Sequence, residues 1–345
     1  MVKYFWESYL LTIIGLVAAY FWGEHIHTGA GWTSVFLALA LGLLEISLSF
    51  DNAVVNALKL EKMSKKWQHR FLTIGILIAV FGMRFLFPLL IVACVAKLGL
   101  LKVLSLAIND VNTYSTYLAQ THSSIITFGG AFLMMIALNF FLNEAKESDW
   151  LKFIETPLRK IAKYKNIDML ITLIVIFTIQ SQILPTMHKI HIMLSGLLGM
   201  ATFYAIEEFT HWLEKRNEKK CGATGEAIAC SGLAGFLYLE LIDASFSFDG
   251  VLGAFAISTD IIIIMIGLSI GAIFVRSLTI LLVEKKTLKK FAYIANGAHW
   301  AVLGLAGTMF ASVLYELPEY VPATIGIICI GASLISSIID RKINK

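Results

Sequence analysis

A chain of 345 residues that is 58% hydrophobic and only 15% charged, with a mean hydropathy of +0.77, excludes an ordinary soluble domain. Such domains carry about 25% charged residues and about 45–50% apolar ones. The net charge of +4 is small, and the composition is that of an integral membrane protein.

A helical span needs about 20 mostly apolar residues, and ten segments qualify. The first, 8–23, follows Lys3 and is not followed by a small-x-small cleavage site, so it reads as an uncleaved span. "EHIH" (24–27) then reads as a wet loop rather than a metal trap. The second span, 32–58, contains "EISLSFDNAVVNAL" (45–58), and the third, 71–96, contains Arg84. That arginine lies about 13 residues from either end, too deep to snorkel. The stretch 98–108 is apolar but short and is expected at the interface. The next spans are 122–143, 168–186 and 190–212, with Glu207 and Glu208 late in the last as an expected vestibule lining or wet helix end. They are followed by 227–257, with "ELIDASFSFDG" (240–250), 260–283, with Arg276, 291–314 and 321–340. Asn139, Asn143, Asn296 and His299 are candidates for a second polar layer or for interhelical hydrogen bonds. Cys94, Cys221, Cys230 and Cys329 form no C-x-x-C pair and read as plain core thiols.

The basic residues orient these spans. With a cytoplasmic N-terminus, the inner segments hold 23 Lys and Arg and the outer loops only Lys97, Lys102 and Lys189. That asymmetry is what ten spans with both termini in the cytoplasm predict, and the expected location is a cell (inner) membrane. The basic loops are therefore topology signals, and no nucleic-acid partner is expected.

The chain also repeats itself. "EISLSFDNAVVNAL" (45–58) aligns with "DASFSFDGVLGAFA" (243–256) at an offset of 198, which pairs Glu45 with Asp243, Ser49 with Ser247 and Asp51 with Asp249. "GILIAVFGMRFLFPLL" (75–90) aligns with "GLSIGAIFVRSLTILL" (267–282) at 192, which pairs Arg84 with Arg276. The repeated spans are second and third in one half and seventh and eighth in the other. An odd separation of five inverts the halves. The expected fold class is thus all-α and polytopic, with about ten transmembrane helices in two inverted five-helix repeats. The first repeat is 1–186, with core motifs 45–58 and 71–96. The second is 187–345, with core motifs 240–257 and 260–283. Such folds place the substrate near the midplane, often on broken helices.

Five acids lie in the two repeated motifs: Glu45, Asp51, Glu240, Asp243 and Asp249. Each costs roughly 2.5–3.5 kcal/mol at mid-membrane on insertion scales, so each needs a partner inside the protein. On a regular helix Glu45, Ser49, Asn52 and Asn56 share one stripe, which Asp243, Ser247 and Gly250 repeat. A break near 48–52 would gather Glu45 and Asp51. Gly250 and Gly253 make a break plausible in the second copy, whereas 45–58 contains neither Gly nor Pro. The ligand types are all oxygen, which suits a hard divalent ion: Mg²⁺, Ca²⁺ or Mn²⁺. The five acids exceed what Arg84 and Arg276 can neutralise, which weighs against a purely structural role. They leave charge for an ion and a proton. Candidate metal ligands are Glu45, Asp51, Asn52, Glu240, Asp243 and Asp249, supported by Ser49, Ser247, Arg84 and Arg276. No permanent cofactor and no enzymatic reaction are expected. An intramembrane aspartyl protease is disfavoured, because G-x-G-D is absent. A membrane-assembly or scaffold factor, and a proton-coupled transporter of another cation, stay open.

With "EISLSFDN" and "ELIDASFSFDG" and the arginine of the following span, residues 30–315 resemble the TerC family of integral membrane proteins, part of a wider superfamily of exporters. Members are implicated in manganese efflux and, by name, in tellurite resistance. The resemblance implies that the five acids and Asn52 bind metal, with Mn²⁺ as the cargo, protons as the exchanged ion and the bilayer as the setting. Gly250 stands where Asn52 does in the first copy, so that ligand is not duplicated.

Overall fold

The computed structural model describes residues 2–26, 28–61, 63–75, 77–143, 146, 148–164, 166–182, 186–221, 232–258, 260–285, 291–315, 317 and 320–343. Helix makes up 88% of it, and the described residues contain no strand. In chain order the helices are α1 (Val2–Ile26), α2 (Gly31–Leu48), α3 (Phe50–Leu60) and α4 (Lys65–Arg70). Two wider, π-helical stretches follow, Phe71–Gly75 and Ile78–Leu86. Then come α5 (Phe87–Ala96), α6 (Leu100–Asn109), α7 (Val111–Phe141), α8 (Lys152–Ile161), α9 (Ile167–Ser181) and α10 (Thr186–Cys221). The chain closes with α11 (Gly232–Ile257), α12 (Ile261–Lys285), α13 (Ile294–Ser312) and α14 (Tyr320–Ile343).

The described residues of the ten apolar segments read from the sequence are mostly helical, Ile76, 183–185 and 227–231 lying outside the described residues. Among the described residues, seven helices are long and apolar enough to cross a membrane: Tyr4–Ile26, Gly31–Leu48, Lys65–Leu86, Gln120–Phe141, Lys189–Phe209, Ile261–Lys285 and Thr324–Lys342. The chain is a polytopic helical membrane protein. Three expected spans fall short for visible reasons. α9 has only 15 residues, α11 carries Glu240, Asp243 and Asp249, and the first two turns of α13 are diluted by Asn296 and His299. The short stretch expected at the interface is α6, which buries Val103 and Ala107.

The helices gather into two compact units, each drawing on both halves of the chain. One comprises Met1–Ala53, Gln68–His122 and Phe246–Leu281. Its core is Ala19, Ala38, Leu41, Ala254, Ile263, Ile264 and Leu268, flanked by Leu16, Trp22, Leu37 and Ile266. α1 is fastened to the 260–277 segment by several polar contacts. Trp22 Nε1 donates to Asp260 Oδ2 (2.8 Å), and the Ser8 and Ser277 hydroxyls share a hydrogen bond (2.7 Å). Only 11% of the α1 span is buried, and the large side chains Ile13 and Phe21 are exposed, as lipid-facing residues would be.

The other unit comprises Val54–Trp67, Ser123–Ser245 and Leu282–Lys345. Here α7 is central, with 72% of its span buried. Close approach is set by small residues: a Cβ on Gly130 would stand 3.4 Å from Met309 Cβ, and one on Gly199 would collide with the Phe128 carbonyl. α13 packs along α14, and α9 along α10.

Candidate functional site

The first acidic motif interrupts its helix. α2 ends at Leu48, Ser49 adopts φ −102°, ψ 13°, and α3 restarts at Phe50. Side chains compete with the backbone here. Ser49 Oγ donates to Glu45 Oε1 (2.8 Å), and the Asn52 N–H donates to the Asp51 carboxylate (3.0 Å). The break thus occurs in the copy that lacks Gly and Pro. α11, by contrast, runs through Gly250 and Gly253 as one helix, correcting the expectation that those glycines would break it. A glycine lacks only a side chain and keeps its N–H, and without water to compete the backbone stays hydrogen-bonded to itself.

At the break the polar side chains are interior. Glu45 is 1% and Asp51 4% exposed, and Ser49, Asn52 and Arg84 are also buried. Arg84, on the second π-helical stretch, donates from Nη2 to Glu45 Oε1 at 2.5 Å. A buried pair of this kind is costly to break, about 3–5 kcal/mol, because the survivor keeps an uncompensated charge.

The backbone beside Glu45 is shaped for it. Ala38 and Gly42 on α2, and Gly267 and Gly271 on α12, form two small-xxx-small pairs. A Cβ on Gly267 would stand 2.8 Å from the Ala38 carbonyl oxygen, and one on Gly42 3.3 Å from that of Gly267. One on Gly271 would reach 2.6 Å from Glu45 Cγ. Sequence reading passed over Gly267 and Gly271 as site residues, although the Gly-x-x-x-Gly spacing signals them.

Arg276 takes a partner the sequence did not suggest. Its Nη1 donates to Glu7 Oε2 of α1 (2.9 Å). In the second motif, Glu240 and Asp243 lie one turn apart on α11. Glu240 is 7% exposed, and its Oε1 has no hydrogen-bond partner among the described residues. The side chains of Ser247 and Asp249 lie outside the described residues; the division between the two units runs through α11, with Phe246 onward in the unit of Glu45, Asp51 and Arg84, and Glu240 and Asp243 in the other. Among the described residues, no three His, Cys, Asp or Glu side chains come together as a metal group. Cys94, Cys221 and Cys230, like Ser247 and Asp249, contribute no described side chain, while Cys329 is partly buried and in no disulfide. Glu24 of the "EHIH" stretch accepts from the N–H groups of Gly29 (3.0 Å) and Gly31 (3.1 Å), so it is an ordinary turn acceptor. His27 lies outside the described residues.

The model of a family described as "Protein of unknown function (DUF475)" matches residues 50–344. The chain belongs to the DUF475 family. No curated protein and no solved structure matches it. The match begins at Phe50, so the DUF475 region includes Asp51 and Arg84 and leaves Glu45 and Ser49 just upstream.

The polar residues expected as a second layer in this DUF475 chain take separate partners. Asn139 donates to Glu207 (3.2 Å), and the His299 ring stacks on Phe140 at 3.7 Å. Asn296 donates to Glu155 (2.7 Å), the most fully satisfied acid described. Glu155 is 0% exposed and also accepts from Lys146 Nζ (2.5 Å), Trp300 Nε1 (2.9 Å) and the N–H groups of Trp150 and Leu151 (both 3.1 Å). Lys146 further contacts Asp149 (3.2 Å), which also pairs with Arg159. Burial alone would raise the Glu155 carboxyl, but Lys146, Trp300 and the Leu151 amide together hold it below its ordinary value. Asp149 is held low against burial by Arg159 and Lys146. Sequence reading missed Glu155, whose partners on α13 lie 141 and 145 residues away.

Proposed function

We propose that this chain transports divalent metal cations across the membrane, with Mn²⁺ moved out of the cytoplasm in exchange for protons. The observation that carries this reading is the interrupted helix at Ser49, where Glu45, Asp51 and Asn52 are each buried and bring side-chain oxygens, that of Glu45 paired with Arg84. Oxygen ligands suit Mg²⁺, Ca²⁺ and Mn²⁺ alike. The resemblance of the two motifs to the TerC family favours Mn²⁺ among them. Under this reading ten helices span an inner membrane as two inverted repeats, and both termini are cytoplasmic.

The residues then divide the work. Asp51 and Asn52 supply oxygen ligands at the start of α3, and Asp243, Asp249 and Glu240 supply the second set. Arg84 holds Glu45 neutralised when no cation is present. An arriving divalent ion competes with the guanidinium for that carboxylate, and protons leave the crowded acids as it binds.

A second reading, a membrane-assembly or scaffold factor, draws support from the Glu45–Arg84 pair, which is neutral by itself, and from the lack of a three-acid group among the described residues. Flux separates the two. In proteoliposomes challenged with a panel of divalent ions under a pH gradient of either sign, the wild type should move Mn²⁺. Asp51→Asn and Asp249→Asn should abolish the flux while folded protein stays in the membrane. Transport by both variants would overturn the site. Absence of any divalent flux in the wild type would favour the scaffold.

A further inference from the structure

α8 has three distinct sides. One faces the protein and carries the fully buried Glu155, with Arg159 beside it. A second is apolar and outward: Phe153 is 91% exposed, and Ile154, Pro157 and, just beyond the helix, Tyr164 are exposed with it. Between them runs a basic strip of Lys152, Lys160 and Lys163, all exposed. This strip carries no acid. The two acids between 148 and 164, Asp149 and Glu155, are engaged with Lys146 and Arg159 or with other donors.

The position of α8 is fixed as firmly as its sides. Glu155 ties it to Asn296 and Trp300 in the first two turns of α13. Lys146, which holds Glu155, also lies over the rings of Phe140 and Phe141 at the end of the α7 span (5.2 and 5.1 Å). The apolar helix α9 begins at Ile167, six residues after α8 ends. The helix is therefore held beside the ends of apolar helices.

We propose that the outward side of α8 seats in the headgroup layer of an anionic phospholipid bilayer, Phe153 and Tyr164 entering the acyl boundary and Lys152, Lys160 and Lys163 meeting lipid phosphates. The proposal needs the membrane setting and is independent of what the protein transports. An aromatic-and-apolar side bordered by a lysine strip without acids, Lys163 Nζ lying 5.2 Å from the centre of the Tyr164 ring, is the pattern of a helix lying in the interface plane. Lysines near an anionic surface strengthen such seating, and salt weakens it. Charge complementarity and continuity with the spans favour lipid over a protein partner as the occupant.

Spin labels on the full chain, with Cys94, Cys221, Cys230 and Cys329 replaced by serine, test this. Phe153→Cys and Thr156→Cys place a label on the apolar side and on the basic side; both positions are exposed, and Thr156 gives up only a long hydrogen bond to Asp149 (3.4 Å). In phosphatidylcholine–phosphatidylglycerol bilayers the label at 153 should be relaxed by oxygen more than by a water-soluble nickel chelate, and the label at 156 the reverse. In pure phosphatidylcholine, or with Lys152→Gln, Lys160→Gln and Lys163→Gln combined, the preference at 153 should fall severalfold. Preferential relaxation of the 153 label by the nickel chelate in both lipids would overturn the proposal and point to a protein partner. An oxygen preference indifferent to lipid charge and to the lysines would overturn the anionic recognition.

Discussion

Two buried carboxylates in this chain have opposite surroundings, and the difference separates a candidate site from a structural pin. Glu45 meets one arginine and one serine hydroxyl beside an interrupted helix. Glu155 meets two tryptophan-segment amides, an asparagine, an indole and a lysine. A carboxylate so fully supplied with donors has no capacity left for a passing ion, so we assign it to stability. Its pKa is lowered in the folded state, so its contribution is fully present above the ordinary glutamate value of 4.5 and is lost as pH falls through the depressed one. Thermal unfolding in detergent should therefore show wild type well above Glu155→Gln at neutral pH, with the gap closing as the medium is acidified below 4.5. A gap that is independent of pH would mean that the charged form contributes nothing. The sequence offered no route to this residue: "ETPLRK" reads as a solvated loop until partners more than 140 positions away are placed beside it.

At the scale of helices, the apolar runs were legible because a membrane demands long, backbone-satisfied helices and hydropathy reports them directly. The break was legible in kind and misplaced in cause. Glycine marks a permissive position, but at Ser49 two side chains take over hydrogen bonding, and that depends on where Glu45 and Asp51 point. The pairing of α2 with α12 was not read from the sequence: its two small-xxx-small spacings gain meaning only once it is known which helices meet. Gly271 makes this testable. Alanine there would overlap the Glu45 side chain, whereas Gly331 on α14 has open space around its would-be Cβ. Gly331→Ala should be neutral or stabilising by about 0.5–1 kcal/mol, the usual gain of alanine over glycine in a helix. Gly271→Ala should instead destabilise by about 1–3 kcal/mol, the usual cost of overpacking, and should disturb the Arg84 contact. Thermal melts of the two variants beside wild type decide it, and equal effects would show that α12 does not seat Glu45.

For the molecule as a whole, two features of the sequence bear on one question: whether the acidic motifs enter the bilayer from opposite sides. The first is the alignment of 45–58 with 243–256 and of 75–90 with 267–282, five spans apart. The second is the crowding of 23 of the 28 basic residues into segments that alternate correctly only for ten spans. Seven helices meet a strict length-and-hydropathy standard, and the three others expected are helices weakened by shortness, by acids or by polar residues. An inverted repeat makes a sharp demand on the residues that follow each motif. Position 66, after the first motif, and position 259, after the second, must face opposite sides, and position 287 must share the side of 66. Single cysteines Lys66→Cys, Thr259→Cys and Thr287→Cys, in a chain otherwise free of cysteine, can be offered an impermeant maleimide on intact cells. Thr259→Cys should react at once, and the other two only after the membrane is opened. Reaction of Lys66→Cys and Thr259→Cys from the same side would make the repeat parallel, place both acidic motifs in one orientation and remove the symmetry on which a shared midplane site depends.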